Sequence, residues 1–526
     1  MTADTCLVLD LGSPYAQGLA RSVRRRGVYT QIEPATISAE RLKTLNPHAI
    51  ILAGCHSGDC TSVPATVSQD LLQAGIPVLA VCHDTLITAG SDRPDTGPTT
   101  PHAAEGIELA QVRVRCASPL LGDLSPGDEF SVPIRAEAGL EALPVTSRVL
   151  AETTTGPVIA ADDARRIYWL NFNPDLPPGL SDGEVLDVLG NFLFDIAQFT
   201  ATWTMAHFLD EAITRLRAQI GDGHVVLGLS GGVDSLVTAA LLHRAVGEQL
   251  TCVLVDNGFL RAGEREAVEA TFRKLIPGRL CVVDARQTFL SALAGAAPGQ
   301  KRRIIRREFL SVFEQQAAQI PNATFLAQGI IYSDLIGTAP ARDPGPPTPS
   351  PGHTHPAEQP PTGDLPRSAT LEPIQPLREL FKDEVRELGA ILDLPHNLLW
   401  RQPFPGPGLA VRCVGQVTKP RLDTLRAADY IISQEIKHAN LPQPIFQSFA
   451  VLLPVQSVTA TGGHSTAGET ICLRVVESDD GAIANWIPLP ANLLNTISTR
   501  LMTQIPGITR VVYDITTKPP GRIEWE

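Results

Sequence analysis

The chain lacks any run of about 18 uninterrupted apolar residues, the length that a membrane-spanning helix requires. Its N-terminus, Met-Thr-Ala-Asp-Thr-Cys, lacks the basic region with which a secretory signal begins. We therefore expect a soluble protein of the cytoplasm that has no membrane partner.

The sequence also lacks a cysteine framework and an excess of basic residues. Its nine cysteines are odd in number and are scattered from Cys6 to Cys472, unlike the dense pairs of a small secreted domain. We expect most of them to be small buried apolar side chains. The net charge of -13 disfavours binding to nucleic acid, which requires a basic surface, so a small-molecule partner is favoured.

The 526 residues and the 43% hydrophobic content indicate several well-packed domains. Short apolar runs alternate with amphipathic stretches in the N-terminal third, and a second such pattern begins at His224. This alternation predicts α/β domains with parallel sheets, with a first boundary near residue 200. Between 339 and 366, ten of 28 residues are proline, which predicts a mobile loop or lid.

The strongest local signal is the loop Ser-Gly-Gly-Val-Asp-Ser, which lies between an apolar strand and a helical stretch. Small residues let backbone N–H groups approach a polyphosphate, and the helix N-terminus adds a positive dipole end. Because the loop lacks the lysine of a Walker A sequence, it predicts pyrophosphate binding rather than simple phosphate transfer. A tight glycine turn is the alternative reading. The predicted pyrophosphate-binding residues are Ser230, Gly231, Gly232, Val233, Asp234 and Ser235, and Asp234 is placed to hold Mg²⁺.

Seven further strings follow in a fixed order along the chain. They are Val-Asp-Asn-Gly-Phe-Leu-Arg (255–261), Lys-Arg-Arg-Ile-Ile-Arg-Arg-Glu-Phe (301–309), Phe-Leu-Ala-Gln-Gly (325–329), Pro-Leu-Arg-Glu-Leu-Phe-Lys-Asp-Glu-Val-Arg-Glu-Leu-Gly (376–389), Arg-Gln-Pro-Phe-Pro-Gly-Pro-Gly-Leu (401–409), Phe-Ala-Val-Leu-Leu-Pro (449–454) and the tail from Val511.

With these strings the chain resembles the glutamine-hydrolysing GMP synthases from end to end, and its loop resembles that of the N-type ATP pyrophosphatases. The resemblance implies an α/β class I amidotransferase-like domain over 1–200 and an α/β ATP pyrophosphatase domain over 201–401. It also implies a small α+β dimerisation domain over 402–526, and therefore a homodimer.

The reaction that the resemblance implies uses ATP to adenylylate the 2-oxygen of xanthosine monophosphate (XMP), after which ammonia displaces AMP. Asp234, Lys301 and Lys382 would meet the developing charge, directly or through Mg²⁺. A solvated basic face is the alternative for the helix that begins at Lys301. By resemblance, Val255, Gln328 and Gly329 also bind the nucleotide, and the acceptor is bound by Lys301, Arg302, Arg401, Lys518 and Glu524.

The first domain departs from the family at the positions that hydrolyse glutamine. Cys82 occupies the nucleophile position, but the glycines two residues before and after it are Ala80 and Asp84. The histidine base and glutamate of the family are replaced by Asn173 and Asp175, and asparagine cannot take up the thiol proton. The oxyanion and glutamine-binding strings are altered as well, to Gly54-Cys55-His56 and Arg135-Ala136-Glu137-Ala138. We expect this domain to be inactive and ammonia to replace glutamine.

Two other uses of Cys82 remain open. His83 could replace the lost base, although adjacent side chains on a strand point to opposite faces. Alternatively, Cys82 could join a new metal site, although the spacing of these cysteines is loose for zinc. That site would comprise Cys55, His56, Cys60, Cys82 and His83.

The acceptor side departs from the family too. The lid string becomes Gln359-Pro360-Pro361, and other altered strings are Ile336-Gly337-Thr338, Gln456-Ser457-Val458-Thr459 and Gly462-Gly463-His464-Ser465. Three hypotheses follow: an ammonia-using GMP synthase or close relative, an adenylylating ligase for another acceptor such as a related purine nucleotide, and a non-catalytic nucleotide-binding homologue. The intact ATP strings favour an enzyme.

Overall fold

The computed structural model describes residues 4–13, 15–54, 75–81, 107–135, 140, 143–175, 186–276, 278–297, 299–336, 371–461, 464–478, 481 and 483–526. The chain forms two compact units, of which the first ends at Phe208 and the second begins at Leu209. Residues 402–526, predicted as a separate domain, belong to the same compact unit as the residues from Leu209. The three-domain division therefore stays a prediction.

The first unit is built on a mixed sheet with parallel strands on one side. Within the described residues its strands are β1 (Cys6–Asp10), β2 (Thr30–Pro34), β3 (Ala49–Ala53), β4 (Val78–Val81), β5 (Ile107–Val114), β6 (Glu129–Arg135), β7 (Arg148–Glu152), β8 (Pro157–Asp162) and β9 (Ile167–Leu170). Their order is β2-β1-β3-β4-β9-β8-β7-β5-β6, with β1 to β4 and β9 parallel and the rest antiparallel. The residues of β3 and β4 are buried throughout, as expected for strands covered on both faces.

The helices that the structure describes in this unit are short. They are α1 (Ala16–Arg25), α2 (Ala39–Leu45) and α3 (Val188–Asn191), with a π-helical turn at Phe192–Ile196 and a 3₁₀ turn at Pro119–Leu121. Ser38 caps α2 by accepting a hydrogen bond from the backbone N–H of Arg41.

The second unit begins within α4 (Met205–Ile220) and contains a five-stranded sheet in which every strand pair is parallel. The strands are β10 (His224–Gly228), β11 (Leu250–Asp256), β12 (Arg279–Asp284), β13 (Ala323–Ala327) and β14 (Glu372–Ile374), in the order β12-β11-β10-β13-β14. Since all strands run the same way, their carboxyl ends lie at one edge, where α/β sheets bind ligands. The helices between and after them are α5 (Val233–Val246), α6 (Glu264–Leu275), α7 (Arg286–Ala292), α8 (Lys301–Ala317), α9 (Tyr332–Ile336), α10 (Lys382–Ile391) and α11 (His396–Leu399), with 3₁₀ turns at Gly247–Gln249 and Gly408–Val411.

The C-terminal part of this unit is α+β. Its elements are α12 (Lys419–Ala439), β15 (Gln447–Thr461), β16 (His464–Glu477), β17 (Asn485–Trp486), α13 (Ala491–Gln504) and β18 (Ile508–Tyr513). β16 pairs antiparallel with β15 and β17 and parallel with β18. One buried apolar cluster runs from Val226 and Phe313 to Leu425 and Leu473, so this part shares a core with the parallel sheet.

The predicted fold class is confirmed: two α/β sheets with parallel strands are followed by a small α+β part. Of the six cysteines that the structure describes, Cys6, Cys252, Cys413 and Cys472 are free and buried, as predicted, and Cys116 and Cys281 are free and half-buried. Among the described residues, no helix is both long and apolar enough to cross a membrane.

Candidate functional site

The predicted pyrophosphate loop joins β10 to α5 at the carboxyl edge of the parallel sheet. Gly231 has φ of +75°, and a Cβ there would lie 2.7 Å from Cγ2 of Val268. Only glycine therefore fits this turn without strain. Ser230 Oγ accepts a hydrogen bond from the N–H of Gly232 and lies 3.1 Å from Ser235 Oγ, which in turn donates to the carbonyl of Gly232. The two serines thus brace the loop internally.

An ion pair lies beside this loop. Lys382, the first residue of α10, places its Nζ 2.7 and 2.8 Å from the two carboxylate oxygens of Asp234 in the first turn of α5. The two side chains remain 34% and 29% exposed, so a ligand can reach both charges. The structure thus brings together a carboxylate for a cation and an ammonium for a phosphate oxygen.

The end of β13 closes the other side of the loop. A Cβ on Gly329 would lie 3.3 Å from three atoms of α5, namely the carbonyl carbon of Asp234, the nitrogen of Ser235 and Oγ1 of Thr238. This glycine therefore permits the close approach of strand end and helix. Gln328 is buried, and its Oε1 accepts a hydrogen bond from Gln375.

Asp334 of α9 is a carboxylate of this site that the sequence analysis did not identify. It interacts electrostatically with Asp234 and Lys382, and one of its oxygens accepts a hydrogen bond from the N–H of Ile331. Burial, and secondly the charge of Asp234, raise the pKa of Asp334. Its place five residues after Gly329, just beyond a strand end, was the signal in the sequence.

The loop after β11 supplies the next group along the sheet edge. Val255 is buried within the strand, and Asp256 accepts a hydrogen bond from the N–H of Gly258, which has φ of +78°. Asn257 accepts from the N–H of Phe259. These Asx-type turns fix the backbone conformation of the loop at the strand end.

The chemistry of these groups fits Mg²⁺ and a polyphosphate. Mg²⁺ prefers carboxylate oxygens and substrate phosphates as ligands, and Asp234 is a partly exposed carboxylate at the sheet edge. The N-terminus of the 14-residue α5 and the ammonium of Lys382 present positive charge to the same place.

The predicted acceptor residues Lys301 and Arg302 contact the C-terminal residue. Lys301 is 1% exposed, and its Nζ lies 2.6 Å from a side-chain oxygen of Glu526 and donates to the carbonyl of Cys413 at 2.7 Å. Arg302 donates through Nε and Nη2 to the main-chain oxygen of Glu526 at 3.0 and 2.6 Å. Burial lowers the pKa of the Arg302 guanidinium. Both side chains are thus engaged with protein groups, and their contact with an acceptor stays a prediction.

The other predicted acceptor residues lie at three places. Glu524 accepts two hydrogen bonds from Arg412, at 3.0 and 2.7 Å, near the tail of the chain. Lys518 donates to the carbonyl of Gly481, and Arg401 donates to Glu264 at the start of α6. Lys301, Arg302 and Glu524 are therefore grouped around the tail, whereas Arg401 belongs to the loop after β11.

In the first unit, β4 ends at Val81 beside Leu170 of β9. Asn173 follows β9, is buried, and its side-chain oxygen accepts a hydrogen bond from the N–H of Asp175 at 3.1 Å. The amide that was predicted to replace the family's base is thus used in a backbone turn. The nucleophile position Cys82 lies outside the described residues, as do Cys55, His56, Cys60, His83 and Asp84.

Several altered strings cannot be placed. The lid over 339–366, Gly337, Thr338, Gly462, Gly463 and residues 136–138 are outside the described residues. Gln456 is described, lies in β15 and is exposed.

Comparisons with known proteins agree with this arrangement. A family model described as the GMP synthase C terminal domain matches residues 434–525, and one described as NAD synthase matches 204–268, which contain the pyrophosphate loop. Among curated relatives, a glutamine-hydrolysing GMP synthase of Nitratidesulfovibrio vulgaris is 40% identical over 522 residues, 99% of each chain. Those of Thiobacillus denitrificans and Geobacillus kaustophilus are each 39% identical, over 99% and 100% of both chains. The chain therefore belongs to the GMP synthase family of ATP-dependent ligases.

Proposed function

We propose that this protein converts XMP to GMP by adenylylation with ATP followed by amination, and that it takes free ammonia as the nitrogen donor. The observation that supports the first half most directly is the intact pyrophosphate loop with Asp234 and Lys382 paired beside it. Pyrophosphate is the group that leaves when a nucleotide is adenylylated.

In this proposal the chain's own groups have distinct tasks. The backbone of the loop and the N-terminus of α5 bind the β- and γ-phosphates, and Lys382 shifts from Asp234 towards the phosphate oxygens. Asp234 would then hold Mg²⁺, which supplies charge stabilisation for the departing pyrophosphate. Val255, Gln328 and Gly329 would border the nucleotide. The acceptor would be bound by Arg302, Arg401, Lys518 and Glu524, while the buried Lys301 would hold the C-terminal residue Glu526.

The choice of ammonia is supported by the first unit. Asn173 is neutral and its oxygen already accepts a backbone hydrogen bond, so it cannot act as the base for a thiol. Asp175 replaces the orienting glutamate beside it. A cysteine at position 82 without a base would remain largely protonated near neutral pH.

A homodimer in the cytoplasm completes the proposal. The C-terminal part exposes large apolar side chains, among them Val455, Val458 and Ile515 at 56%, 65% and 60%. Exposed apolar surface of this kind favours a protein interface. Light scattering should give twice the mass of the chain, whereas a monomer would contradict this part.

The test of the reaction is incubation with ATP, Mg²⁺, XMP and ammonium, with release of pyrophosphate, AMP and GMP followed together. We expect the three products in equal amounts and none from Asp234→Asn. ATP turnover only with another acceptor, or nucleotide binding without turnover, would overturn the proposal in favour of a ligase of different specificity or a non-catalytic homologue. The extensive identity to GMP synthases does not favour either alternative.

A further inference from the structure

A row of buried charges connects the loop after β11 with the C-terminal tail. Arg261 Nε lies 3.1 Å from Oδ2 of Asp429 on α12, and the other oxygen of Asp429 lies 3.8 Å from Nη1 of Arg412. Arg412 then donates to both carboxylate oxygens of Glu524. The side chains of Arg412 and Asp429 are 0% and 3% exposed, so water does not screen these charges.

Aromatic rings restrict the arginines of this row further. The ring centroid of Phe404 is 4.7 Å from the guanidinium carbon of Arg261 and 5.2 Å from that of Arg412. The ring centroid of Phe449 lies 3.8 Å from the guanidinium carbon of Arg412. Such contacts are attractive and leave a planar guanidinium few alternative positions.

The middle of the row depends on charge more than on hydrogen bonds. In the part of the chain that the structure describes, Arg261 Nε and Arg412 Nη1 are buried and have no hydrogen-bond partner. Asp429 accepts a hydrogen bond from the N–H of Ala450 at 3.4 Å while facing both arginines. A change at Asp429 therefore alters the electrostatic environment of Arg261 and Arg412 together.

At the ATP end, the same helix holds the loop backbone. Arg426 of α12 donates to the carbonyls of Gly258 and Leu260, and the N–H of Leu409 donates to the carbonyl of Phe259 at 2.8 Å. The loop 256–261 and the segment that carries Arg412 are thus fastened to one another by backbone and side-chain bonds.

At the acceptor end, the double hydrogen bond fixes the orientation of a carboxylate. A bidentate arginine occupies about two of the roughly four lone-pair positions of Glu524, which leaves the others for N–H or O–H donors. Glu524 is 13% exposed, so such donors can approach it from one side. A purine nucleotide offers base N–H and ribose O–H groups of this kind.

We propose that Arg412 and Asp429 are positioning residues of the ligase reaction, which orient Glu524 for the acceptor and tie it to the ATP-side loop through Arg261. This inference rests on the proposed function. Neither Arg412 nor Asp429 is proposed to contact a substrate, because both act through other side chains.

Steady-state kinetics distinguish the orientation of Glu524 from its connection to the ATP-side loop. Arg412→Lys keeps the charge but loses the fork, and we expect the KM for XMP to rise about 10- to 100-fold. The KM for ATP should stay within about twofold. Because Arg412 acts through Glu524, the double variant with Glu524→Gln should be no worse than the more impaired single variant. Asp429→Asn, which faces both arginines, should raise both KM values.

The matched control is Arg421→Lys in the same part of the fold. Arg421 pairs with Glu469 and donates to the carbonyls of Val414 and Gln416, and among the described residues it makes no ion pair or hydrogen bond with the row. We expect its KM values to match those of the wild type. Equal losses in Arg412→Lys and Arg421→Lys, or additive losses in the double variant, would overturn the proposal.

Hydrogen exchange followed by mass spectrometry tests the coupling without any substrate. In Asp429→Asn, amide exchange should rise together in peptides covering 257–261 and 521–526, and Arg421→Lys should leave both unchanged. If the wild-type protein forms no GMP, the proposed function fails, and this exchange experiment still decides on the coupling. A rise in neither peptide, or in one alone, would overturn it.

Discussion

At the scale of single residues, the proposed ATP site depends on charged side chains more than on packing. Asp234 and Lys382 are both about one-third exposed, so their ion pair contributes little to folding, roughly 0–1 kcal/mol. Their contribution is to ligand binding, because the carboxylate can bind a cation and the ammonium can bind phosphate. The partnership could not be predicted from local sequence, because the two residues are 148 positions apart.

Lys382→Met separates these two contributions. We expect kcat/KM for ATP to fall about 10- to 100-fold, the effect of losing a hydrogen bond to a charged group. The melting temperature should hardly change, because the pair is partly solvated. The measurements are pyrophosphate release and thermal unfolding.

Lys419→Met is the control for this change, since its pair with Asp423 is also a lysine–aspartate contact at 2.7 Å, at an exposed helix start. Its activity should match that of the wild type. Equal activity of the two variants would contradict the role given to Lys382.

At the scale of elements, the strand–loop–helix unit around Ser230 was predictable because its determinants are local. An apolar run followed by small residues and a helical stretch specifies the turn, and the structure shows the glycine conformation that this turn requires. The approach of β13 to α5 at Gly329 was not predictable in this way, since it depends on which strands become neighbours. The row from Arg261 to Glu524 was not predictable for the same reason.

Gly329→Ala tests that approach. Its methyl group would press on backbone atoms of α5 at 3.3 Å, so the pyrophosphate loop must shift. Overpacking of this kind costs about 1–3 kcal/mol. If about 1 kcal/mol of that cost appears in binding, we expect the KM for ATP to rise about fivefold. Titration of nucleotide binding and steady-state kinetics measure it.

Gly406→Ala serves as its control, because a Cβ at that position meets nothing within 4 Å. Unchanged ATP binding in Gly329→Ala, or an equal change in both variants, would show that the contact does not set the loop.

At the scale of the whole molecule, the second unit is held together from its sheet to its last residue. Lys301 shows this most clearly. The resemblance predicted a substrate contact, whereas in the structure its amine contacts the side chain of Glu526 and the carbonyls of Ala410 and Cys413. Sequence strings identify such a residue as important but do not distinguish a ligand contact from a buried tail contact. That distinction depends on where the C-terminus docks, which no local pattern encodes.

Lys301→Met makes the distinction measurable. Removing the ammonium leaves the buried carboxylate of Glu526 without its cation, and we expect a loss of about 3–5 kcal/mol in unfolding free energy of the second unit. Denaturant unfolding, monitored by hydrogen exchange in residues 508–526, measures this loss. Arg307→Met on the same helix, whose pair with Glu308 involves a 71% exposed arginine, should leave stability unchanged. A stable Lys301→Met protein with an impaired KM for XMP alone would instead support direct substrate contact.

We expect this member of the GMP synthase family to make GMP with ammonia and not with glutamine. The most direct test compares GMP formation from XMP and ATP with ammonium or glutamine as donor, in the wild-type protein and in Cys82→Ala. We predict robust synthesis with ammonium in both proteins and only background synthesis with glutamine. Glutamine-dependent GMP synthesis that disappears in Cys82→Ala would contradict the proposed use of ammonia in place of glutamine.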